Sequence, residues 1–304
     1  MPTLEAKVPD VAPRPQPRSV AVVRPWTRSW LYMAPGETMT FVWILAIHLC
    51  GFGAVAIAPF FHWSLWPGWP IATIAVGLTA LGGLGTTVSY HRSLTHRAVV
   101  LHPAVEHFLT FFAMLNGSGT PMSWVANHRL HHATSDTDED ISSPNLGGFW
   151  WAHLRWLWQS GRAPVARYCP DLDRPAYRAW NRLQYPLHAI GFLGGAFFGF
   201  AGWLWLGPLR LLWALHAQCT INSVCHLGQK TATSDSSCNV AWLTPLHFLQ
   251  GENWHKNHHA EPTDARIGQT AKQIDLGWWT IVLLERCGLA SRIRRPRNAA
   301  AITR

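Results

Sequence analysis

Charged residues fall along this chain in blocks. No Asp, Glu, Lys or Arg occurs between Glu37 and Arg92, and only Arg210 interrupts the interval from Leu183 to Gln229. Each interval has room for two passes of about 20 apolar residues, the length that crosses ~30 Å of hydrocarbon. The pattern predicts an all-α membrane protein with four transmembrane helices, at about 39–61, 71–90, 185–206 and 208–228. Between the blocks, Val105, Phe108, Leu109, Phe112 and Leu115 recur at helical intervals. That stretch is too short to span and predicts an amphipathic helix lying at the interface. Trp150, Trp151, Trp156 and Trp158 predict another membrane-surface helix, with Arg155, Arg162 and Arg167 available to phosphates or headgroups.

Residues 1–30, rich in Pro and Arg and without a signal-peptide core, read as a disordered cytoplasmic tail. Residues 31–290 read as one integral-membrane domain whose helical cap ends in a helix near Trp278 to Leu289. Residues 291–304 form a basic tail.

A formal charge of +9 raises the question of nucleic acid, but the basic residues are scattered and the membrane accounts for them better. Arg14, Arg18, Arg24 and Arg28 precede the first span, Arg292, Arg294, Arg295 and Arg297 end the chain, and the turn from His62 to Pro70 carries no charge. The positive-inside bias then places both termini and the middle segment in the cytoplasm. Trp63, Trp66 and Trp69 in the outer turn suit an interfacial aromatic belt. Six cysteines without a CxxC spacing read as small buried residues of a reducing compartment.

The chemistry lies in the histidines. His128, His131 and His132 (HRLHH) fall within about 100° of arc on a helix, and His255, His258 and His259 (HKNHH) repeat the spacing. One such box alone has bland explanations, because imidazole serves many purposes. Two boxes plus the pair His91 and His96 (HRSLTH), in a charge-poor chain, point to metal. His91 and His96 stand about 140° apart on an ideal helix, so either the helix loosens after His91 or the two serve different ions. His226 and Asn222 share a face near the end of the fourth span, where polar residues are costly unless used. His48, alone on an apolar face, reads instead as a hydrogen-bonded residue. The three boxes and His226 give more imidazoles than one ion can take, so two ions are expected, and an imidazole-rich site with open positions suits iron and oxygen better than structural zinc. The acidic run Ser135 to Asp140 reads as a solvated loop. Asp136 is its best candidate for orienting a ligand imidazole, and Glu252 is expected in the same role.

The order HRSLTH, HRLHH, NSVCH, HKNHH resembles the membrane fatty acid desaturases of the stearoyl-CoA type, over about Met39 to Leu289. The resemblance implies two irons held by His91, His96, His128, His131, His132, His226, His255, His258 and His259, with Asn222 holding a water. It implies O2-dependent removal of two hydrogens from neighbouring methylenes, commonly at Δ9, to give a cis alkene. It places Trp124 at the bend of the acyl tunnel, Gln218 along it, and Gly83 and Thr79 at its far end. Partners would be an acyl-CoA or lipid-bound acyl chain and a separate electron donor, such as ferredoxin or a cytochrome b5-like protein with its reductase. Two departures stand out. Ala126-Asn127 replaces an Arg-Asp pair that meets CoA in the animal enzymes, which opens the question of the acyl carrier, and Lys256 replaces an Asn within the last box. A hydroxylase on the same scaffold and a non-catalytic membrane metal-handling protein are the alternatives.

The topology has a direct test. A cysteine introduced between His62 and Pro70 should react with an impermeant reagent from outside the cell, and one near Ser135 should not. Labelling of both from one side would refute four spans.

Overall fold

The computed structural model describes residues 24–296, so most of the expected N-terminal tail and the end of the basic tail lie outside the described residues. The chain is mostly helical, and its first long helix, α1 (Thr38–Ile57), is apolar apart from His48 and two threonines in its first turn and ends in a turn at Ala58–Phe61. Leu49 and Phe52 stand exposed along its outer face, as on a helix whose solvent is lipid. α2 (Trp69–Leu84) starts after Gly68 and continues, without a break, into a π-helical segment from Gly85 to Thr95.

α3 (Pro103–Leu115) is the short amphipathic helix, but it does not lie apart from the others. It runs antiparallel along α2: Ser89 meets Thr110, and a Cβ on Gly85 would lie 2.2 Å from the carbonyl of Leu109. The glycine therefore permits the approach that pulls α3 down beside its neighbour. α4 (Pro121–Thr134) returns the chain, capped by the Thr120 hydroxyl, which accepts from Ser123 N.

Among the described residues three stretches are long and apolar enough to cross a membrane, Thr38–Phe61, Trp69–Thr95 and Pro175–Val224. The last doubles back on itself. α5 (Pro175–Leu193) leads to a reversal at Gly199, whose φ of +77° favours glycine, and the return arm runs through Gly199–Leu204 and a π-helical turn, Trp205–Leu209, into α6 (Arg210–Val224). The expected break between Leu206 and Pro208 is not where the helix turns. The widened π turn holds Pro208 inside the helix despite its missing N–H. Arg210, the one cation of this block, is buried. It donates to Leu206 O, Asn116 Oδ1, Leu115 O and Gly191 O at 2.6 to 3.1 Å, which fastens both arms of the hairpin to the end of α3. Carbonyls at a helix C-terminus attract a cation, so its placement is favourable despite the apolar surroundings.

The indole-rich segment forms a π turn, Trp151–Arg155, in which Trp151 and Arg155 are buried rather than spread on a surface. Arg155 is spent on the carbonyl of Arg28 at 2.7 Å, so it is not available to a headgroup. Only three of the cysteines, Cys169, Cys219 and Cys225, are buried, and Cys287 is exposed.

The C-terminal segment carries α7 (His255–Ala260) and α8 (Leu276–Arg286), and it is tied to the π-helical segment and to the strand that follows it. A two-residue strand β1 (Val100–Leu101) pairs antiparallel with β2 (Ala290–Ser291). Arg92, next to His91, forms a buried ion pair with Asp275 at 2.8 Å and donates to Ala265 O and Gln250 O. Asp275 also accepts from Ile267 N, Gly268 N and Trp278 N, so one carboxylate caps α8 and neutralises Arg92. Asp275→Ala leaves that guanidinium buried and unpaired and should destabilise the protein by about 3–5 kcal/mol, read as a lowered unfolding midpoint in detergent, whereas an exposed pair such as Arg178–Asp173 should cost under about 1 kcal/mol.

Candidate metal centre

The π-helical segment decides the fate of the first histidine pair. His96 N donates to His91 O at 3.1 Å, an i→i+5 bond, so residue 96 stacks over residue 91 instead of standing 140° away. The imidazole rings lie 4.9 Å apart. Of the two possibilities left by the spacing, the loosened helix is the one realised, and it begins at Gly85, ahead of His91.

The histidines assemble into two groups. His91, His96, His128, His132 and His258 form one, and His131, His226, His255 and His259 the other, with the nitrogens of each group within 4.8 Å of one another. α4 and α7 each serve both. On α4, His128 and His132 are one turn apart and face the first group while His131 faces the second. On α7, His255 and His259 face the second group and His258 the first. His226 follows the end of α6. Arg129, between the ligands of its box, donates to the carbonyls of Leu94 and Thr95 and to Asp171, which fixes α4 against the π segment.

The donor chemistry fits metal ions. His258 Nε2 lies 2.9 Å from both His91 Nε2 and His132 Nε2, and His226 Nε2 lies 3.2 Å from His131 Nε2 and 3.0 Å from His255 Nε2. A single proton cannot serve two such contacts in a converging set. His96 Nε2 is buried and has no protein partner. The outer nitrogens explain which way the lone pairs point: His91 Nδ1 donates to Glu252 at 2.8 Å, His131 Nδ1 to Asp140 at 3.1 Å and His259 Nδ1 to Asp235 at 2.6 Å. A proton held on Nδ1 leaves Nε2 as a lone pair aimed inward. Burial, together with the neighbouring imidazoles, holds His128, His132, His255 and His258 well below the usual imidazole range, so these rings are neutral and ready to ligate. His131 differs: burial opposes its charge, but the Asp140 carboxylate more than offsets that and lifts it above the ordinary value.

Glu252 accepts from His91 Nδ1 and also from the Thr87 hydroxyl. The Asp136 carboxylate accepts from Ser143, Asn145 and Ser236 N, and it shapes the loop behind the site rather than touching one of the converging imidazoles. The acidic run is not simply a solvated loop either, because Asp140 is fully buried, while Asp138 is exposed. Asp140 and Asp235 are the residues that spacing missed. Asp235 sits in a Ser- and Thr-rich stretch with no helical period, and only the fold brings it to His259.

A cavity of about 490 Å³ abuts the groups, lined at that end by His91, His128, His131, His255 and Asn222. Trp124 lines it with its ring stacked on His128 at 4.8 Å, and Gln218 lines it while donating to Ser118 Oγ at 2.8 Å. Its apolar walls include Ile47, Phe192, Leu211 and Leu215. Gly83 and Thr79 are not on those walls. A Cβ on Gly83 would lie 2.7 Å from Gln250 Nε2, so the glycine accommodates a side chain from the C-terminal segment, and Thr79 donates back to Ala75 O. Chain-length reading by this pair has no geometric basis. Lys256 is exposed on the outer face of α7. His48 is hydrogen-bonded, to Ile44 O at 2.6 Å and to His216 at 3.1 Å.

Comparison with known proteins adds an independent line. A family model described as fatty acid desaturase matches residues 64–267. The chain is 38% identical over 236 residues to a Delta-9 acyl-lipid desaturase 1 of Arabidopsis thaliana, covering 75% of this chain and 76% of the relative. It is 36% identical over 231 residues to an sn-1 stearoyl-lipid 9-desaturase of Anabaena variabilis, covering 72% and 84%. It is also 34% identical over 283 residues to an icosanoyl-CoA 5-desaturase of Limnanthes douglasii, covering 90% and 76%. The matched region spans the first and second histidine boxes, His226 and the last box, and with them both groups of converging imidazoles: the chain belongs to the fatty acid desaturase family.

Proposed function

We propose that the two histidine groups hold two iron ions and that the enzyme uses O2 and electrons from a separate donor, ferredoxin or a cytochrome b5-like protein, to place a cis double bond at Δ9 of a saturated acyl chain. The observation that carries this reading is the placement of five and four converging imidazoles at the inner end of an apolar cavity. The Δ9 position draws on the relatives' names.

An unactivated methylene has no acidity for a side-chain base to exploit, so bound iron would activate O2 as the oxidant while the protein supplies position. The five histidines of the first group would hold one ion. His131, His226, His255 and His259 would hold the second, with Asn222 on the cavity wall available to hold a water. Glu252, Asp140 and Asp235 keep the proton of their histidines on the outer nitrogen, and so keep the inner nitrogens free. Trp124, against His128, closes the apolar space at the reacting end and keeps water from it. The arms of the Pro175–Val224 hairpin supply the third and fourth spans. With α1 and α2 they make a four-helix membrane domain, residues 31–290, whose histidine-bearing side and termini face the cytoplasm.

Expression in a host with a simple lipid profile, followed by gas chromatography of its fatty acids, tests the activity and the bond position together. New Δ9 monoenes are expected, and a hydroxylated product would move the chain to the hydroxylase alternative. Metal analysis of purified protein should give about two irons per chain, and His131→Ala or His258→Ala should abolish activity with the protein still in the membrane. One zinc per chain would refute the di-iron reading. Asp235→Asn, which removes the charge behind His259, should lower iron affinity or activity roughly 10–100-fold.

A further inference from the structure

The cavity beside the metal centre opens sideways. Met39 and Val42 on α1 and Tyr185 and Ala189 on α5 line it and are at the same time exposed on the outer surface. A residue that faces a cavity and the exterior at once marks a gap in the wall. Both helices belong to stretches long and apolar enough to cross a membrane, so the gap faces lipid.

The gap has two closed ends. Deeper in, the Trp43 ring bridges the helices, stacked on His188 at 4.8 Å and edge-on to Phe192 at 5.8 Å. Towards the polar side, Glu37 at the head of α1 is bound through both carboxylate oxygens by Nε and Nη2 of Arg162. Six residues separate Glu37 from Trp43, about 9 Å of helix rise, which leaves a slot more than one turn tall.

The charges around the slot bear on what passes through it. Among the residues lining the cavity the formally charged ones are Glu37, Arg162 and Glu252, two carboxylates and one guanidinium. A CoA thioester brings several phosphate charges to the place where its chain enters, and the lining residues carry no net positive charge to receive them. Asn127 is occupied in accepting from Ala163 N at 2.9 Å, which holds the segment carrying Arg162. A membrane glycerolipid asks for less. Its acyl chain already lies in the bilayer beside α1 and α5, and its ester end lies at the depth where an interfacial Arg and Glu can hydrogen-bond it.

We propose that the acyl chain reaches the metal centre from the bilayer, through the slot between α1 and α5, while still esterified to a membrane glycerolipid, with the Glu37–Arg162 pair as the rim that receives the ester end. This rests on the desaturase reading above and names the substrate class of that site.

The test uses full-length, iron-loaded protein in proteoliposomes with a reduced electron donor, offered stearoyl chains either within phosphatidylcholine and galactolipid of the vesicle or as added stearoyl-CoA in the presence of a free-acid trap. Double bonds are expected in the lipid-bound chains and not in the CoA ester. Ala189→Trp and Val42→Trp, which fill the slot, should slow the lipid reaction at least tenfold at unchanged iron content, and Phe52→Trp, on the lipid face outside the slot, should not. If either filled variant fails to retain iron, Ala189→Leu and Val42→Phe repeat the measurement with smaller steps. Desaturation of stearoyl-CoA alone, or an unchanged lipid rate in iron-loaded slot variants, would overturn the proposal and leave the desaturase reading intact. Iron-loaded protein that desaturates neither substrate would overturn both.

Discussion

An imidazole can bind a metal only through a neutral lone pair, and the lone pairs of two ligand groups have to converge on two points a few ångströms from one another. That constraint governs much of this structure. Each ring left free would turn its nitrogens to water or to a neighbour, so the site depends on what holds the far side of each ring. Three buried or half-buried carboxylates, Glu252, Asp140 and Asp235, do this for His91, His131 and His259. They come from different parts of the chain, yet each takes the same atom, Nδ1. Burial then keeps the remaining rings uncharged, since a buried imidazolium without a carboxylate is expensive.

Convergence also constrains the backbone. α4 and α7 each send ligands to both groups, so a small rotation of either would spoil both sites at once. The structure restrains them with cations rather than with bulk. Arg129 ties α4 to the π segment through Leu94 O and Thr95 O, and Arg92 ties the π segment to the C-terminal segment through Asp275. Both arginines belong to the histidine boxes and lie next to ligands. Their guanidinium forks satisfy carbonyls that irregular backbone would otherwise leave unpaired, which lets the ligand helices bend without losing hydrogen bonds.

The convergence of the histidine boxes was legible in the sequence because helical spacing and repetition carry it: HRLHH and HKNHH need only a regular helix to present three rings. The pair in HRSLTH needed an irregular one, and spacing left it open. The apolar stretches long enough to cross a membrane fall largely within the charge-poor blocks, but the reversal at Gly199 could not be read from them, since Pro208 reads as the stronger breaker until a π turn absorbs it. Asp235 and Asp140 were hidden for a different reason. A carboxylate behind a ligand has no periodic relation to it, and Asp136 in the same run is an equally plausible candidate until the loop is folded. Gly83 illustrates the opposite error, in which a small residue at a suggestive depth makes room for Gln250 and not for a ligand.

The apolar cavity and the first histidine group are linked by Trp124. Its indole stacks on His128, a member of the first group, and its other surface is cavity wall. One side chain therefore sets the distance between a ligand and whatever occupies the space below. Three of the polar groups along that wall, Thr86, Ser118 and Gln218, are bonded to one another, with Ser118 Oγ 2.9 Å from Thr86 Oγ1 and 2.8 Å from Gln218 Nε2. At these three residues the wall presents side chains already paired with one another, which lowers the cost of laying an alkyl chain against them.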